Sequence, residues 1–336
     1  MRAAVYTEYG GPDVVRVVDV EAPRPGPHDL LVRVHATTVN RTDTAYRAGT
    51  PTFARFAYGI RGPKVPILGC EFAGTVVETG GSVTAFAVGD RVFGYVEGPF
   101  GAHAELLALP ETGSVARIPP KLTFEQAAAG TEGSHYALGM IRAARVQAGD
   151  AVLVNGATGG IGSAAVQLLH AMGAVVTAVC FGEQVDLVRG LGADRVIDCT
   201  AEDFTRDTAR YDVVCDAVGK STFTAARQVL KPRGIYISSE LGPWLQNPRR
   251  ALVAPLSRGQ RVLFPIPTHN QAMVEELAGL MESGAFLPVV DRTYPLAEIA
   301  EAHRYAGSGQ KIGNVVVVVE PGPSSGARDG GGDAPG

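Results

Sequence analysis

Cysteine and basic charge are both scarce in this chain of 336 residues. Its four cysteines, Cys70, Cys180, Cys199 and Cys215, form no Cys-x-x-Cys pair, which argues against a disulfide scaffold or an all-cysteine zinc site. The 30 Lys and Arg residues are outnumbered by 34 Asp and Glu residues, so no basic excess is available to neutralise nucleic-acid phosphates. We therefore expect no nucleic-acid partner, and we expect Cys199 and Cys215 to be buried as small apolar residues.

Long apolar runs and a secretory signal are also missing. The longest wholly aliphatic run covers residues 315–319, far below the roughly 20 residues that a membrane helix needs. The amino-terminal sequence MRAAVYTEYGG lacks the apolar segment of a signal peptide. We therefore expect a cytoplasmic protein with no membrane partner.

What the chain does contain is the alternation of an α/β fold. The first 120 residues or so carry short apolar runs punctuated by glycine and proline, without a sustained helical period. A capping-box spacing at Thr123 and Gln126 then predicts the start of a helix. Beyond residue 150, apolar strands alternate with amphipathic helices, which predicts a parallel sheet covered on both faces. The predicted strands are 151–155, 175–180, 195–198, 212–217 and 234–239, and the predicted helices are 163–172, 185–191 and 223–230.

A glycine cluster directly follows the predicted strand 151–155 and opens the next helix. In such a turn, glycines let the backbone approach a ligand closely, and the helix N-terminus offers N–H groups to a pyrophosphate. Because the cluster stands in a strand–turn–helix context, it predicts the binding of a dinucleotide. The predicted contacts are Gly156, Thr158, Gly159, Gly160, Ile161 and Gly162.

The end of the second predicted strand bears on which nucleotide is bound. An acidic residue there would bind the ribose hydroxyls of NAD and repel a 2′-phosphate. This strand instead ends in Cys180 and Phe181, which favours NADPH as the cofactor. No Arg or Lys follows in the loop, and Glu183 stands where a cation would help, so NADH stays possible.

Several short motifs occur in a fixed order along residues 1–319. They include VNRTD at 39–43, LGCEFAG at 68–74, VGDRV at 88–92, NGATGGIG at 155–162 and DAVG at 216–219. With these motifs the chain resembles the medium-chain dehydrogenase/reductase superfamily, in particular its zinc-lacking, quinone oxidoreductase-like branch. The resemblance implies a Rossmann doubly wound parallel sheet at 123–266, inserted in a GroES-like β-rich domain at 1–122 and 267–320. It also implies an active site in the cleft between the domains and a homodimer, and we expect residues 321–336 to be a disordered tail.

The resemblance also indicates whether a metal is bound and which reaction is catalysed. Zinc-dependent relatives place a Cys at the position of Asn40 and a His at that of Cys70, whereas a catalytic zinc needs three protein ligands. We therefore predict no metal, and alcohol oxidation then lacks its Lewis acid. The predicted reaction is hydride transfer from NADPH to a small quinone or conjugated enone, which needs mainly positioning and a modest proton donor. Two alternatives stay open: an enoyl-thioester or polyketide tailoring reductase, and a non-enzymatic NADPH-binding protein.

Candidates for catalysis follow from matched positions. The resemblance implies that Asn40 and Asp43 approach the nicotinamide and substrate, and that Tyr46 lies near a family active-site tyrosine. The segment 131–136 departs from the family's apolar pattern, so His135 or Tyr136 is a candidate proton donor. Structural roles for Asp43 and His135 are the alternative. The resemblance further implies cofactor contacts at Val218, Gly219, Ser239 and Asn314.

Overall fold

A computed structural model describes residues 1–254, 258–266 and 268–319. Its strands are β1 (Arg2–Val5), β2 (Arg16–Asp19), β3 (Asp29–Val39), β4 (Glu71–Thr79), β5 (Arg91–Tyr95), β6 (Leu106–Pro110), β7 (Val115–Arg117), β8 (Ala151–Asn155), β9 (Val175–Cys180), β10 (Arg195–Asp198), β11 (Tyr211–Asp216), β12 (Leu230–Ser238), β13 (Arg261–Leu263), β14 (Val290–Pro295) and β15 (Asn314–Val318). The α-helices are α1 (Arg41–Ala48), α2 (Arg55–Tyr58), α3 (Phe124–Ala128), α4 (Glu132–Ala144), α5 (Gly160–Ala171), α6 (Val185–Gly190), α7 (Phe223–Ala226), α8 (Gln246–Val253), α9 (Gln271–Glu282) and α10 (Ile299–Gly307). The predicted tail at 321–336 lies outside the described residues.

One of the two large sheets is built from both ends of the chain. Its order is β14-β15-β3-β4-β5-β7, and β6 pairs with β3 as well. The pairs are antiparallel except β14 with β15. Because β15 pairs with β3 from Val315 opposite Val39 to Val318 opposite Ala36, the start of β15 lies beside the end of β3, where α1 begins.

The other large sheet is parallel throughout, in the order β10-β9-β8-β11-β12-β13. The chain moves outward in one direction from β8 to β10 and then in the other from β11 to β13, so the order reverses between β8 and β11. In doubly wound sheets of this kind, ligands bind outside the carboxyl ends of the strands at that switch point. The two sheets confirm the predicted fold class, a doubly wound parallel sheet together with a β-rich domain.

Some local predictions were wrong. The first 120 residues do contain a helix, α1, whose side chains are too polar to show an apolar period; it begins at a capping box of Asn40 and Asp43 and ends at Gly49 with φ +61°. The predicted helix 223–230 ends at Ala226, because Leu230 already pairs with Tyr211 in the parallel sheet.

Three further features of the structure bear on the sequence-based predictions. Cys215 is buried as expected, but Cys199 is exposed because it lies just past the end of β10. Thr123 and Gln126 form the predicted capping box at the start of α3. None of the helices in the described ranges combines the length and the apolarity needed to cross a bilayer.

Candidate active site

A cavity of about 400 Å³ lies at the carboxyl edge of the parallel sheet, between the glycine turn and α1. Predicted site residues from both sides line it: Asn40, Tyr136, Gly159, Gly160, Ile161, Val218, Ser239 and Asn314. Its remaining lining includes five charged residues that the sequence analysis did not select: Arg41, Glu132, Lys220, Glu240 and Lys311. The structure therefore brings the predicted cofactor turn and part of the predicted catalytic set to one cavity.

The glycine turn between β8 and α5 leaves no room for a side chain at two of its glycines. Gly156 has φ +80°, and a Cβ there would lie 2.2 Å from Cγ1 of Val218. A Cβ on Gly162 would lie 2.0 Å from the carbonyl oxygen of Gly156. The turn is also tied to the β-rich domain, since the Gly313 N–H donates to the carbonyl of Thr158 at 2.6 Å. The N-terminus of α5 is thus held at the cavity wall, where its first N–H groups suit a phosphate.

The buried carboxylate of Asp216 shapes the next part of the wall. Its Oδ1 accepts hydrogen bonds from Nδ2 of Asn155 and from the Gly219 N–H, at 3.0 and 3.1 Å. Its Oδ2 accepts from the Ser221 N–H at 3.2 Å and the Tyr236 hydroxyl at 2.7 Å. These bonds fix the loop after β11, which presents Val218 to the cavity. Gly219, in the same loop, is not part of the lining but packs under Glu240.

Asn40 caps the N-terminus of α1, and both the oxygen and the nitrogen of its side-chain amide form hydrogen bonds inside the protein. Its Oδ1 accepts from the Asp43 N–H at 3.0 Å, while its Nδ2 donates to Sγ of Cys70 at 3.0 Å and to Oε2 of Glu71 at 3.4 Å. Burial raises the pKa of the Cys70 thiol well above its ordinary value, so the thiol keeps its proton. An amide at position 40, together with a Glu71 carboxylate that already accepts from Thr38 and Thr131, does not supply the three protein ligands that a catalytic zinc needs.

The Glu71 carboxylate is the centre of this network and joins the β-rich domain to α4. Oε1 accepts from the Thr131 N–H, the Thr131 hydroxyl and the Glu132 N–H at 3.1, 2.8 and 2.6 Å. Oε2 accepts from the Thr38 hydroxyl at 2.5 Å. In the described part of the chain, no three His, Cys, Asp or Glu side chains are grouped as a metal site.

Three predicted catalytic residues lie outside the cavity lining. Asp43 is completely buried, accepts the Gly69 N–H at 3.0 Å, and has its pKa raised by burial to about 7. Tyr46 is stacked on Tyr58, with ring centroids 3.7 Å apart. His135 donates from Nδ1 to the Thr131 carbonyl, 3.0 Å away, and lines a different cavity behind α4. These positions suit structural roles, which the sequence analysis gave as the alternative for Asp43 and His135.

The predicted contacts at the end of β9 also lie apart from the cavity lining. Cys180 is buried, whereas Phe181 is 57% exposed. The loop that follows runs beside Asp198 at the end of β10; a Cβ on Gly182 would lie 2.4 Å from Oδ2 of Asp198. Hydrogen bonds from Thr200 lower the pKa of Asp198, so an ionised carboxylate lies beside this loop.

Glu132 is the unpredicted residue with the most unusual surroundings. Its Oε1 accepts from the Thr42 hydroxyl at 2.5 Å. Burial, followed by repulsion from Glu71, raises its pKa well above the ordinary range, and Lys311 opposes that rise. The pKa of Lys311 is lowered by burial. The helical period could have pointed to Glu132, because it lies four residues before Tyr136 and shares its face of α4.

Comparison with protein families supports both halves of the fold. Residues 26–120 match the alcohol dehydrogenase GroES-like domain, and residues 191–317 match the zinc-binding dehydrogenase family. The second match begins beyond Asn40, Cys70 and Glu71, so it does not bear on the donor set described above.

Several relatives are similar over nearly the whole chain. A quinone oxidoreductase of Pseudomonas aeruginosa is 32% identical over 330 residues, covering 93% of this chain and 98% of the relative. An NADPH-dependent alkenal/one oxidoreductase of Arabidopsis thaliana is 33% identical, covering 96% and 80%. The structure of a quinone oxidoreductase from Coxiella burnetii superimposes with a TM-score of 0.85 at 27% identity, covering 95% and 99%. The chain therefore belongs to the quinone oxidoreductase-like branch of the medium-chain dehydrogenase/reductase superfamily, and it is an oxidoreductase that binds a nicotinamide nucleotide.

Proposed function

We propose that the protein is a zinc-independent reductase that uses NADPH to reduce a quinone or a conjugated enone, and that it acts as a homodimer. The observation that carries this proposal is the cavity in which a nucleotide-binding glycine turn faces Asn40, Glu132 and Tyr136. Relatives named quinone oxidoreductase and alkenal/one oxidoreductase support the same class of acceptor.

The residues of the cavity would have two roles, binding the nucleotide and positioning the acceptor. The N-terminus of α5, with Gly159, Gly160 and Ile161, would bind the pyrophosphate of the nucleotide. Val218 and Ser239, which follow β11 and β12, would border the nucleotide beyond it. A bound reduced nicotinamide supplies the hydride. The chain holds the acceptor near it, and this positioning is a large part of what a quinone or enone requires.

Zinc independence rests on the chemistry of Asn40 and Cys70. The Asn40 amide donates toward both Cys70 and Glu71. The Glu71 carboxylate also accepts hydrogen bonds from Thr38, Thr131 and Glu132. Alcohol oxidation needs a metal to polarise the alcohol oxygen, whereas the reduction of an electron-poor quinone or enone does not. NADPH is the proposed donor because Cys180, at the end of β9, carries no charge that repels a 2′-phosphate; the ionised Asp198 beside the following loop acts against this preference.

The direct test is steady-state oxidation of NADPH by the purified chain after dialysis against a chelator, with its metal content measured. We expect turnover with p-benzoquinone and with a simple conjugated enone, and no alcohol oxidation. Activity that is lost on chelation and restored by zinc would contradict the proposal. Turnover confined to an enoyl thioester would favour the tailoring-reductase alternative instead.

A further inference from the structure

The second half of an enone reduction requires a proton, and the proposed function leaves its source open. Addition of a hydride to the β-carbon delivers two electrons and one hydrogen, and leaves an enolate that must gain one proton at its α-carbon. A quinone gives instead a hydroquinone anion, whose oxygen can take a proton from water. A residue that supplies this proton must line the cavity, and it must be protonated near neutral pH yet acidic enough to release its proton.

The cavity holds few groups that can meet both conditions. Asn40 does not titrate, and its amide is engaged by Asp43, Cys70 and Glu71. Burial raises the pKa of Tyr136 above its already high ordinary value, so its hydroxyl is a weaker acid than usual. His135 faces a different cavity, and burial lowers its pKa to about 4, so it is neutral at pH 7.

Glu132 meets both conditions through its position. It is the first residue of α4, and it lines the cavity between Thr42 and Tyr136. Its backbone N–H is bound to the Glu71 carboxylate, which holds the side chain close to a negative charge that disfavours its ionisation. Since Oε1 already accepts the Thr42 hydroxyl, a proton on this carboxyl is carried by Oε2.

We propose that Glu132 donates the proton that completes reduction of a conjugated enone in this cavity, an inference that rests on the proposed function. The O–H bond at Oε2 breaks and a C–H bond forms at the substrate α-carbon. The Glu132 carboxylate that remains takes a proton from water before the next turnover. Lys311, which lines the same cavity, tunes this cycle because its positive charge favours the ionised form of Glu132.

The variant Glu132→Gln tests the proposal, because the glutamine oxygen can still accept the Thr42 hydroxyl while the acidic proton is gone. We expect kcat for an enone to fall about 100-fold or more, the usual scale of general acid catalysis, and kcat for a quinone to fall far less. In D₂O, the unaltered chain should place deuterium on one face of the α-carbon, and the variant should place it on both faces. The variant Glu240→Gln, which removes a different carboxylate from the same cavity, should keep deuterium on one face.

The pH dependence gives a second readout. Glu132 is active when protonated, so enone reduction should fall as pH rises through the pKa of this carboxyl. Lys311→Met removes the charge that favours ionisation and should move this fall to higher pH. Loss of enone reduction at every pH in Lys311→Met, with deuterium no longer confined to one face, would identify Lys311 as the donor and overturn the proposal.

A readout independent of turnover is the ¹³C NMR titration of glutamate carboxyl carbons in the nucleotide-free chain. One resonance that titrates well above the ordinary glutamate range should be missing in Glu132→Gln. Ordinary titration of this carbon, or one-sided deuterium in a folded Glu132→Gln that still binds the nucleotide, would overturn the donor role. Failure of the unaltered chain to reduce either acceptor would contradict the proposed function itself, and the donor role would fall with it.

Discussion

At the scale of single residues, the Asn40 side chain connects α1 with Cys70 and with Glu71. Its amide closes the capping box of α1, donates to Cys70 and faces the Glu71 carboxylate that holds the start of α4. The sequence alone identified Asn40 as a poor metal ligand. It did not identify Glu71 as the acceptor of donors from β3 and α4, because those partners come together only when β3 pairs with β4 and α4 packs beside them.

A residue-scale prediction concerns the choice between NADPH and NADH. The Asp198 carboxylate lies beside the loop after β9 and is ionised at neutral pH, so it opposes a 2′-phosphate in that region. Asp198→Asn removes the charge and keeps an oxygen for the Thr200 hydrogen bonds. We expect the ratio of kcat/KM for NADPH to that for NADH to rise about two- to fivefold, as for other exposed charges, and the gain to shrink in high salt.

Asp186→Asn is the matched control for this effect. Asp186 lies on α6, and its side chain is almost fully exposed in an ion pair with Arg189. The control should leave the cofactor ratio unchanged. A ratio that is the same in Asp198→Asn as in the unaltered chain would show that the adenosine end of the nucleotide lies elsewhere.

At the scale of elements, α4 shows what a periodic pattern can and cannot predict. Glu132, Gly133 and Tyr136 line the cavity of the glycine turn, whereas His135 and Arg142 line a different one. The unusual polarity of the segment 131–136 marks it as a candidate, and because successive residues of a helix point in different directions, Tyr136 and His135 do not both face the cavity. Burial, by contrast, depends on tertiary contacts, so the raised pKa of Glu132 could not be predicted from spacing.

The contact between α4 and α5 leads to a prediction about nucleotide binding. A Cβ on Gly133 would lie 2.5 Å from the backbone oxygen of Gly160, so Gly133→Ala must push the two helices apart. We expect the free energy of unfolding to fall by about 1–3 kcal/mol, the usual cost of overpacking. Because the N-terminus of α5 moves with Gly160, we also expect the Kd for the nucleotide to rise about tenfold or more. Urea denaturation and calorimetry measure the two effects.

Gly279→Ala on α9 is the control for that substitution. No atom lies within 4 Å of a Cβ at Gly279, so this helical glycine should accept a methyl group and gain about 0.5–1 kcal/mol of stability. If Gly133→Ala bound the nucleotide as tightly as the unaltered chain does, the close approach of α4 to α5 would not be what holds the glycine turn in place.

At the scale of the whole molecule, the pairing of β15 with β3 could not be predicted from the periodicity of the sequence. Nothing in the local pattern of residues 315–319 indicates that they join a strand almost 280 residues earlier; the family resemblance supplied that expectation. The pairing has a functional consequence, because it brings Asn314 and Lys311 to the cavity wall, with Asn314 directly beside the glycine turn. The site therefore requires both ends of the described chain.

The other sheet offers a surface for the proposed homodimer. Its edge strand β13 pairs only with β12 in the described sheet, and exposed apolar side chains lie close by along the chain: Leu252 at 81%, Val253 at 58% and Ile266 at 82% exposure. An unpaired strand edge beside exposed apolar groups is typical of a surface that binds a partner. A two-fold axis through this edge would cover the same surface on both copies.

We therefore expect light scattering to give twice the mass of one chain, and Leu252→Glu together with Ile266→Glu to halve it. The two-fold symmetry makes the effect strong, since each substitution places like charges from both copies in one interface. Val88→Glu, at another exposed apolar residue remote from β13 in the sequence, should leave the mass unchanged. A chain that is monomeric before any substitution would contradict the dimer. Dissociation by Val88→Glu alone would instead place the interface on the β-rich domain.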